Sequence, residues 1–214
     1  MAIAKYITEL IGTFFLVFTV GMCVVTPPAG LLGPIAIGSV LMVMIYAGGH
    51  ISGGHYNPAV TTAVAVRNRM PASDVVPYVV AQLLGAGIAS IMVYYLKGTG
   101  AASEGMIDLS AKIPQALLVE FIGTFALTFV VLNVATSKDT AGNSNYGLAI
   151  GFTVAAMAIS IGPITGGAFN PAVATGGALM QFFTPAQIWV YILAELAAGI
   201  VAGLLFKYLN PSDP

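Results

Sequence analysis

The chain has 214 residues, 58% of them hydrophobic and 7% charged, with a formal net charge of −1 and a mean hydropathy of +0.94. A water-soluble domain of this length needs more charge to cover its surface, so an ordinary soluble fold is excluded. No basic run points to a nucleic-acid partner, and Cys23, the single cysteine, builds no disulfide framework.

In chain order the long apolar runs cover residues 6–25, 34–49, 75–96, 113–136, 146–162 and 185–208. A helix rising ~1.5 Å per residue needs about 20 residues to cross a hydrocarbon core roughly 30 Å thick. Six membrane-crossing helices are therefore predicted, the second and fifth reaching full length only if their glycine-rich ends are partly buried. The first run carries Glu9 and leads into Thr26-Pro27-Pro28 without a small-residue cleavage pattern, so it reads as a span and not as a cleavable leader.

Two further segments interrupt this series. Asn57-Pro58-Ala59 and Asn170-Pro171-Ala172 each follow a glycine-rich stretch. Asn caps a helix start, and Pro at the first helical position gives up an N–H that would be unpaired anyway. Half-helices over 58–66 and 171–180, each about 15 Å long, would together cross one hydrophobic thickness. Gly48, Gly49, Gly53, Gly54, Gly162, Gly166 and Gly167 are expected to permit an extended approach to them. Such backbone is tolerated at membrane depth only when buried in protein or facing a water-filled cavity.

An internal repeat binds these elements together. Glu9-Leu10-Ile11-Gly12-Thr13-Phe14 recurs as Glu120-Phe121-Ile122-Gly123-Thr124-Phe125, and Ala81-Gln82-Leu83 recurs as Ala194-Glu195-Leu196. With the Asn-Pro-Ala pair, three landmarks share a spacing of about 111 to 113 residues, the mark of a duplicated unit. Each unit holds three spans and one re-entrant segment, the first over about 1–97 and the second over about 112–214, in one membrane domain of 1–214. An odd number of spans gives the two units opposite orientation, with a functional site where the broken helices meet. The fold class expected is an all-α membrane protein of six transmembrane helices and two re-entrant half-helices in an inverted three-helix repeat. Placing Lys5, Arg67, Arg69, Lys138 and Lys207 inside, with Lys97 and Lys112 outside, satisfies the positive-inside tendency and puts both termini in the cytoplasm.

The run Gly49-His50-Ile51-Ser52-Gly53-Gly54-His55-Tyr56-Asn57-Pro58-Ala59-Val60-Thr61 resembles the aquaporin family (major intrinsic proteins), as do the second Asn-Pro-Ala triplet and the Glu-x-x-Gly-Thr-Phe pair. The likeness covers essentially the whole chain. It implies a homotetramer in the lipid bilayer, at the plasma (inner) membrane, each protomer carrying uncharged solutes passively through its own pore. Facing half-helix N-termini carry roughly half an elementary charge each, which opposes cations and protons at the midplane. The Asn57 and Asn170 amides would donate to a passing oxygen.

The resemblance also implies a second constriction, outward of the midplane, at four positions that fall on Ile37, Ala158, Gly167 and Val173. Orthodox water channels carry Arg at the last, usually His at another and an aromatic ring at a third. Here there is no charge, imidazole or ring. A wider pore follows, for water and small neutral solutes such as glycerol, urea or metalloid hydroxides like arsenous acid, as in the nodulin-like metalloid-permeable branch. A strictly water-conducting channel is the alternative. Glycerol facilitators usually follow the second triplet with Arg-Asp, where this chain has Val173-Ala174.

Glu9 and Glu120 are expected to accept backbone N–H groups of the re-entrant loops. His50 is read as a pore-side donor or loop brace and His55 as a loop anchor; the two lack a third ligand for a metal. Glu195, whose repeat mate is neutral Gln82, is expected to bond the opposite loop, with a proton-sensitive role as the alternative. No nucleophile–base set, metal cluster or phosphate loop suggests an enzyme, and no cofactor is called for. A secondary transporter also uses inverted repeats and broken helices, but needs an ion site for which Glu195 is the sole candidate.

Overall fold

A computed structural model describes residues 2–25, 28–98 and 105–213. Thr26 and Pro27, and residues 99–104 within the 97–112 connection, lie outside the described residues. The helices are α1 (Ala2–Val24), α2 (Leu32–Ser52), α3 (Pro58–Val66), α4 (Ala72–Lys97), α5 (Ile113–Val131), α6 (Tyr146–Ser160), α7 (Gly162–Thr165), α8 (Pro171–Leu179) and α9 (Ile188–Leu209). Among the described residues the β pairing is a single bridge between Ile107 and Phe183. Helices α1, α2, α4, α5 with a π turn to Thr136, and α9 are long and apolar enough to cross a membrane. The sixth span, α6, has 15 residues and is extended toward the second loop by the single turn α7 after Ile161.

The second span differs from expectation. It begins at Leu32 and stays helical through Gly48-Gly49-His50-Ile51-Ser52, breaking only at Gly53. Gly162 likewise opens α7 and does not belong to an extended path. Helix satisfies backbone polar groups internally at no cost in a bilayer, so it persists until a residue stops it. Where the two helices break, the left-handed glycines are Gly53 and Gly54 (φ 90° and 64°) and Gly166 and Gly167 (φ 90° and 65°). Gly48 instead clears space for the Tyr56 hydroxyl.

Small residues set the helix crossings, as expected where lipid offers no hydrophobic drive to association. Gly85 of α4 rests on the α1 backbone at Leu10, and Gly38 of α2 and Gly151 of α6 each face the other's carbonyl. Gly199 of α9 lies against the Ala59 backbone, which seats half-helix α3 on α9. Outward, Ile3, Ile7, Ile11 and Phe15 form an exposed stripe on α1, and Val80, Leu84 and Ile91 are exposed on α4. Apolar surface on this scale suits lipid.

Apart from Glu9, Glu120 and Glu195, which lie within α1, α5 and α9, the charged groups gather near helix ends and in the connections. On one face Lys5 pairs with Asp74, and Lys207 donates to the Val66 carbonyl at 3.0 Å. On that face too, Asp213 of the C-terminal tail ties three segments together. Its carboxylate accepts from the Lys138 backbone N–H at 2.8 Å, from Arg69 at 2.5 Å and from Arg67 at 2.9 Å. The fully buried Arg67 also donates to the Thr136 carbonyl at 2.9 Å and stacks over the Phe206 ring at 3.9 Å. The Lys138 N–H, then the two guanidinium groups, hold the Asp213 carboxyl at about 2.

A depressed carboxyl stabilises the fold above its unfolded value of about 3.9 and loses that contribution as pH falls through the folded value. The tail is therefore expected to stay docked down to mildly acid pH and release as pH falls through about 2. Asp213→Asn strands a buried guanidinium and should lower the melting temperature in detergent by about 2–4 °C. Lys138→Ala, whose ammonium lies 4.0 Å from Asp213 and is exposed, should leave it unchanged; thermal unfolding of the two variants checks both.

Candidate pore

The two loops meet at the starts of α3 and α8. Asn57 and Asn170 have extended backbone (φ −158° and −164°), and each side-chain oxygen caps its half-helix, accepting from Ala59 N at 2.8 Å and from Ala172 N at 2.9 Å. Because the oxygen is committed to an N–H, the amide orientation is fixed. The nitrogens then reach across: Asn57 Nδ2 donates to the Phe169 carbonyl and Asn170 Nδ2 to the Tyr56 carbonyl, both at 2.9 Å. An amide has two N–H groups. One from each Asn locks the loops together, and the other is left for the cavity that both side chains line.

The residue before each Asn is strained and braced. Tyr56 and Phe169 both adopt φ 50°, uncommon for a bulky side chain. Their rings pack face-on into the space left by Gly12 and Gly123, where a Cβ would overlap them. The Tyr56 hydroxyl donates to the Met44 carbonyl at 3.0 Å.

Buried carboxylates hold the loop backbones. Glu9 Oε1 accepts from Ser52 Oγ at 2.7 Å and His55 N at 2.9 Å, while Oε2 accepts from Tyr56 N at 2.7 Å and Gln82 Nε2 at 2.8 Å. Glu120 repeats the pattern in the second loop. Its Oε1 accepts from Thr165 Oγ1 at 2.5 Å and Ala168 N at 3.3 Å, and its Oε2 from Phe169 N at 2.9 Å. Outside each loop a tyrosine hydroxyl donates to the preceding helix end at 2.7 Å, Tyr78 to the Ser52 carbonyl and Tyr191 to the Thr165 carbonyl.

A cavity of about 320 Å³ is lined by Asn57 and Asn170 and by all four of Ile37, Ala158, Gly167 and Val173. A second cavity, about 430 Å³, opens among Arg69, Asp74 and Thr136 on the face that carries Asp213. His55 and Val131 line both.

Two expectations are corrected. His50 lies exposed on α2, outside both cavities and without a hydrogen bond among the described residues; it faces away because the helix continues past it. His55 is the histidine lining both cavities, its Nδ1 3.1 Å from Thr61 Oγ1. Glu195 bonds the loop of its own repeat, accepting at 3.0 Å from the N–H of Asn170, the residue that opens α8, which packs on α9. Sequence reasoning also missed the Gly12–Tyr56 and Gly123–Phe169 pairs, although both glycines stand inside the repeated Glu-x-x-Gly motif. It missed Phe182 and Phe183, which line the first of the two cavities and carry no repeat signal.

Paired half-helices inside a six-span bundle, with cavities lined at their junction, mark the architecture of a membrane channel. The chain belongs to the major intrinsic protein family, whose model matches residues 1–206, a family of channels. It is 39% identical to the "Glycerol uptake facilitator protein-like 6" of Lactiplantibacillus plantarum, over 98% of this chain and 99% of that one. It is 40% identical to "Aquaporin NIP1-1" of Zea mays, over 94% of this chain and 72% of that one. Its fold is that of the aquaglyceroporin from Plasmodium falciparum, with a TM-score of 0.77 over 98% of this chain and 96% of that one, at 23% identity.

The brace at Gly123 makes a sharp prediction. In Gly123→Ala the new methyl meets the Phe169 ring, whose backbone is tied to Asn57 and Glu120 and cannot retreat. Overpacking of this kind costs about 1–3 kcal/mol, and water permeability per protein in proteoliposomes should fall several-fold. Gly87→Ala, facing open space, should match wild type.

Proposed function

We propose that this protein is a passive channel for water and small uncharged solutes, including glycerol, urea and undissociated metalloid hydroxides such as arsenous acid. The observation that carries the reading is the cavity wall formed by Ile37, Ala158, Gly167 and Val173, with no charge, imidazole or ring among the four. A wall without a cation neither repels other cations nor donates to a passing oxygen, so exclusion of ions and protons rests on the half-helix dipoles and the two Asn amides, as in other aquaporin-type pores. Its relatives, one named "Glycerol uptake facilitator protein-like 6" and one an aquaporin, suit this solute range. Two inverted units, about 1–97 and 112–214, make up one channel domain, four copies assemble in the plasma membrane, and both termini face the cytoplasm. Glu9 and Glu120 act as loop supports. No catalytic step is assigned to any residue.

A strictly water-conducting pore is the second reading, favoured by Phe182 and Phe183, which line the same cavity. Stopped-flow light scattering separates the two. Wild-type proteoliposomes should pass glycerol and arsenous acid well above bare lipid, and Val173→Arg should cut both by about tenfold or more while water falls less, since a buried cation narrows and charges the wall. Water flux alone in wild type would favour the second reading.

A further inference from the structure

The two repeats match closely around their carboxylates, with one exception. Against Glu9 stands Gln82, whose Nε2–H group donates to Glu9 Oε2 at 2.8 Å. Against Glu120 stands Glu195: the two carboxyls accept from adjacent backbone N–H groups, Glu120 from Phe169 N at 2.9 Å and Glu195 from Asn170 N at 3.0 Å. Both glutamates are fully buried. Glu195 Oε1 accepts from Asn170 N, but Oε2 has no hydrogen-bond partner although it is buried. An ionised carboxylate offers only acceptors, so two ionised groups here would face each other with no donor between them.

The surroundings supply no countercharge. Helix α5 carries Glu120 as its sole ionisable residue. Helices α3 and α8 carry none, nor do the π turn Leu132–Thr136 or the turn Pro185–Gln187 that adjoin α9. On α9 itself the others are Tyr191, whose hydroxyl is committed to Thr165 O, and, toward the far end, Lys207 with Tyr208 beside it. Lys207 is occupied at the Val66 carbonyl. Two negative charges in one membrane-buried pocket without a cation are prohibitively costly, and one proton removes the problem.

We propose that Glu120 and Glu195 form a proton-binding site, with the proton on Glu195 Oε2 donated to the Glu120 carboxylate. The proton takes the place of the Gln82 N–H group in the other repeat. It is a structural ligand of the second loop: Glu120 holds the Ala168 and Phe169 N–H groups, and Glu195 holds the Asn170 N–H group where α8 begins. Raising the pH removes the donor, sets two charges against each other, and loosens the backbone that aims the Asn170 amide. Solute flux therefore falls on alkalinisation through this pair.

Infrared spectroscopy of the full protein in lipid tests the assignment directly. At about pH 7, where a free glutamate is ionised, wild type should show a protonated-carboxyl C=O stretch that shifts in D2O. Glu195→Gln, which copies the Glu9–Gln82 pairing, should lose that band, and Gln82→Glu should gain a second one. In parallel, the water permeability of wild type should fall at least about threefold between about pH 6 and about pH 10, while the profile of Glu195→Gln is flat whatever its absolute level. A wild type without the band, or a Glu195→Gln variant that retains it, overturns the proposal. A flat wild-type pH profile overturns the coupling to flux.

Discussion

Everything in this fold depends on satisfying the irregular backbone that it carries into the membrane. A bilayer interior provides no water for an unpaired N–H, so each group outside a helix needs an internal acceptor. The acceptors here are Glu9 and Glu120, fully buried on α1 and α5, each taking two backbone N–H groups and one hydroxyl from the loop in front of it. With the N–H groups turned toward these carboxylates, the loop carbonyls are free for other uses. Two of them, from Tyr56 and Phe169, receive the crossing Asn amides. The same bonds thus hold each loop and join the two.

From that lock the permeation path follows. Each half-helix begins at the loop junction because its Asn is capped there, and the two positive helix ends face a single region. The positive φ at Tyr56 and Phe169 turns the chain into the cap, and the glycines opposite them leave the rings room. On the proposed function, barrier and sieve are separate. The charge barrier would be built from backbone and two amides, while the cavity wall is formed by side chains such as Ile37 and Val173. The wall can vary without disturbing the lock, which gives the family a route to different solutes on one scaffold.

Much of this was legible in the sequence, for identifiable reasons. The half-helices announced themselves through Asn-Pro, since capping and the missing proline N–H are local physics. The inverted repeat was legible because Glu9, Gln82 and Asn57 have counterparts at one spacing. The end of α2 was not, because glycine count alone does not tell a helical Gly48 or Gly49 from a left-handed Gly53; the hydrogen bonds around it decide. That choice also moved the path-lining histidine from position 50 to position 55. The C-terminal latch through Asp213 and Arg67 joins residues far apart in sequence without any repeat to flag them. Nor could the sequence show that Glu195 meets Glu120, although the Gln82 counterpart was visible.

We propose an uncharged path for neutral solutes, guarded against ions by the paired loops. Its most direct test is water and proton permeability measured on the same proteoliposomes, the first under an osmotic step and the second under a pH gradient with the membrane potential clamped. The structure predicts bidirectional water flux far above bare lipid, linear in the gradient, with proton flux no higher than that of the lipid. Proton flux rising in step with water, or transport that saturates and follows an ion gradient, would contradict it.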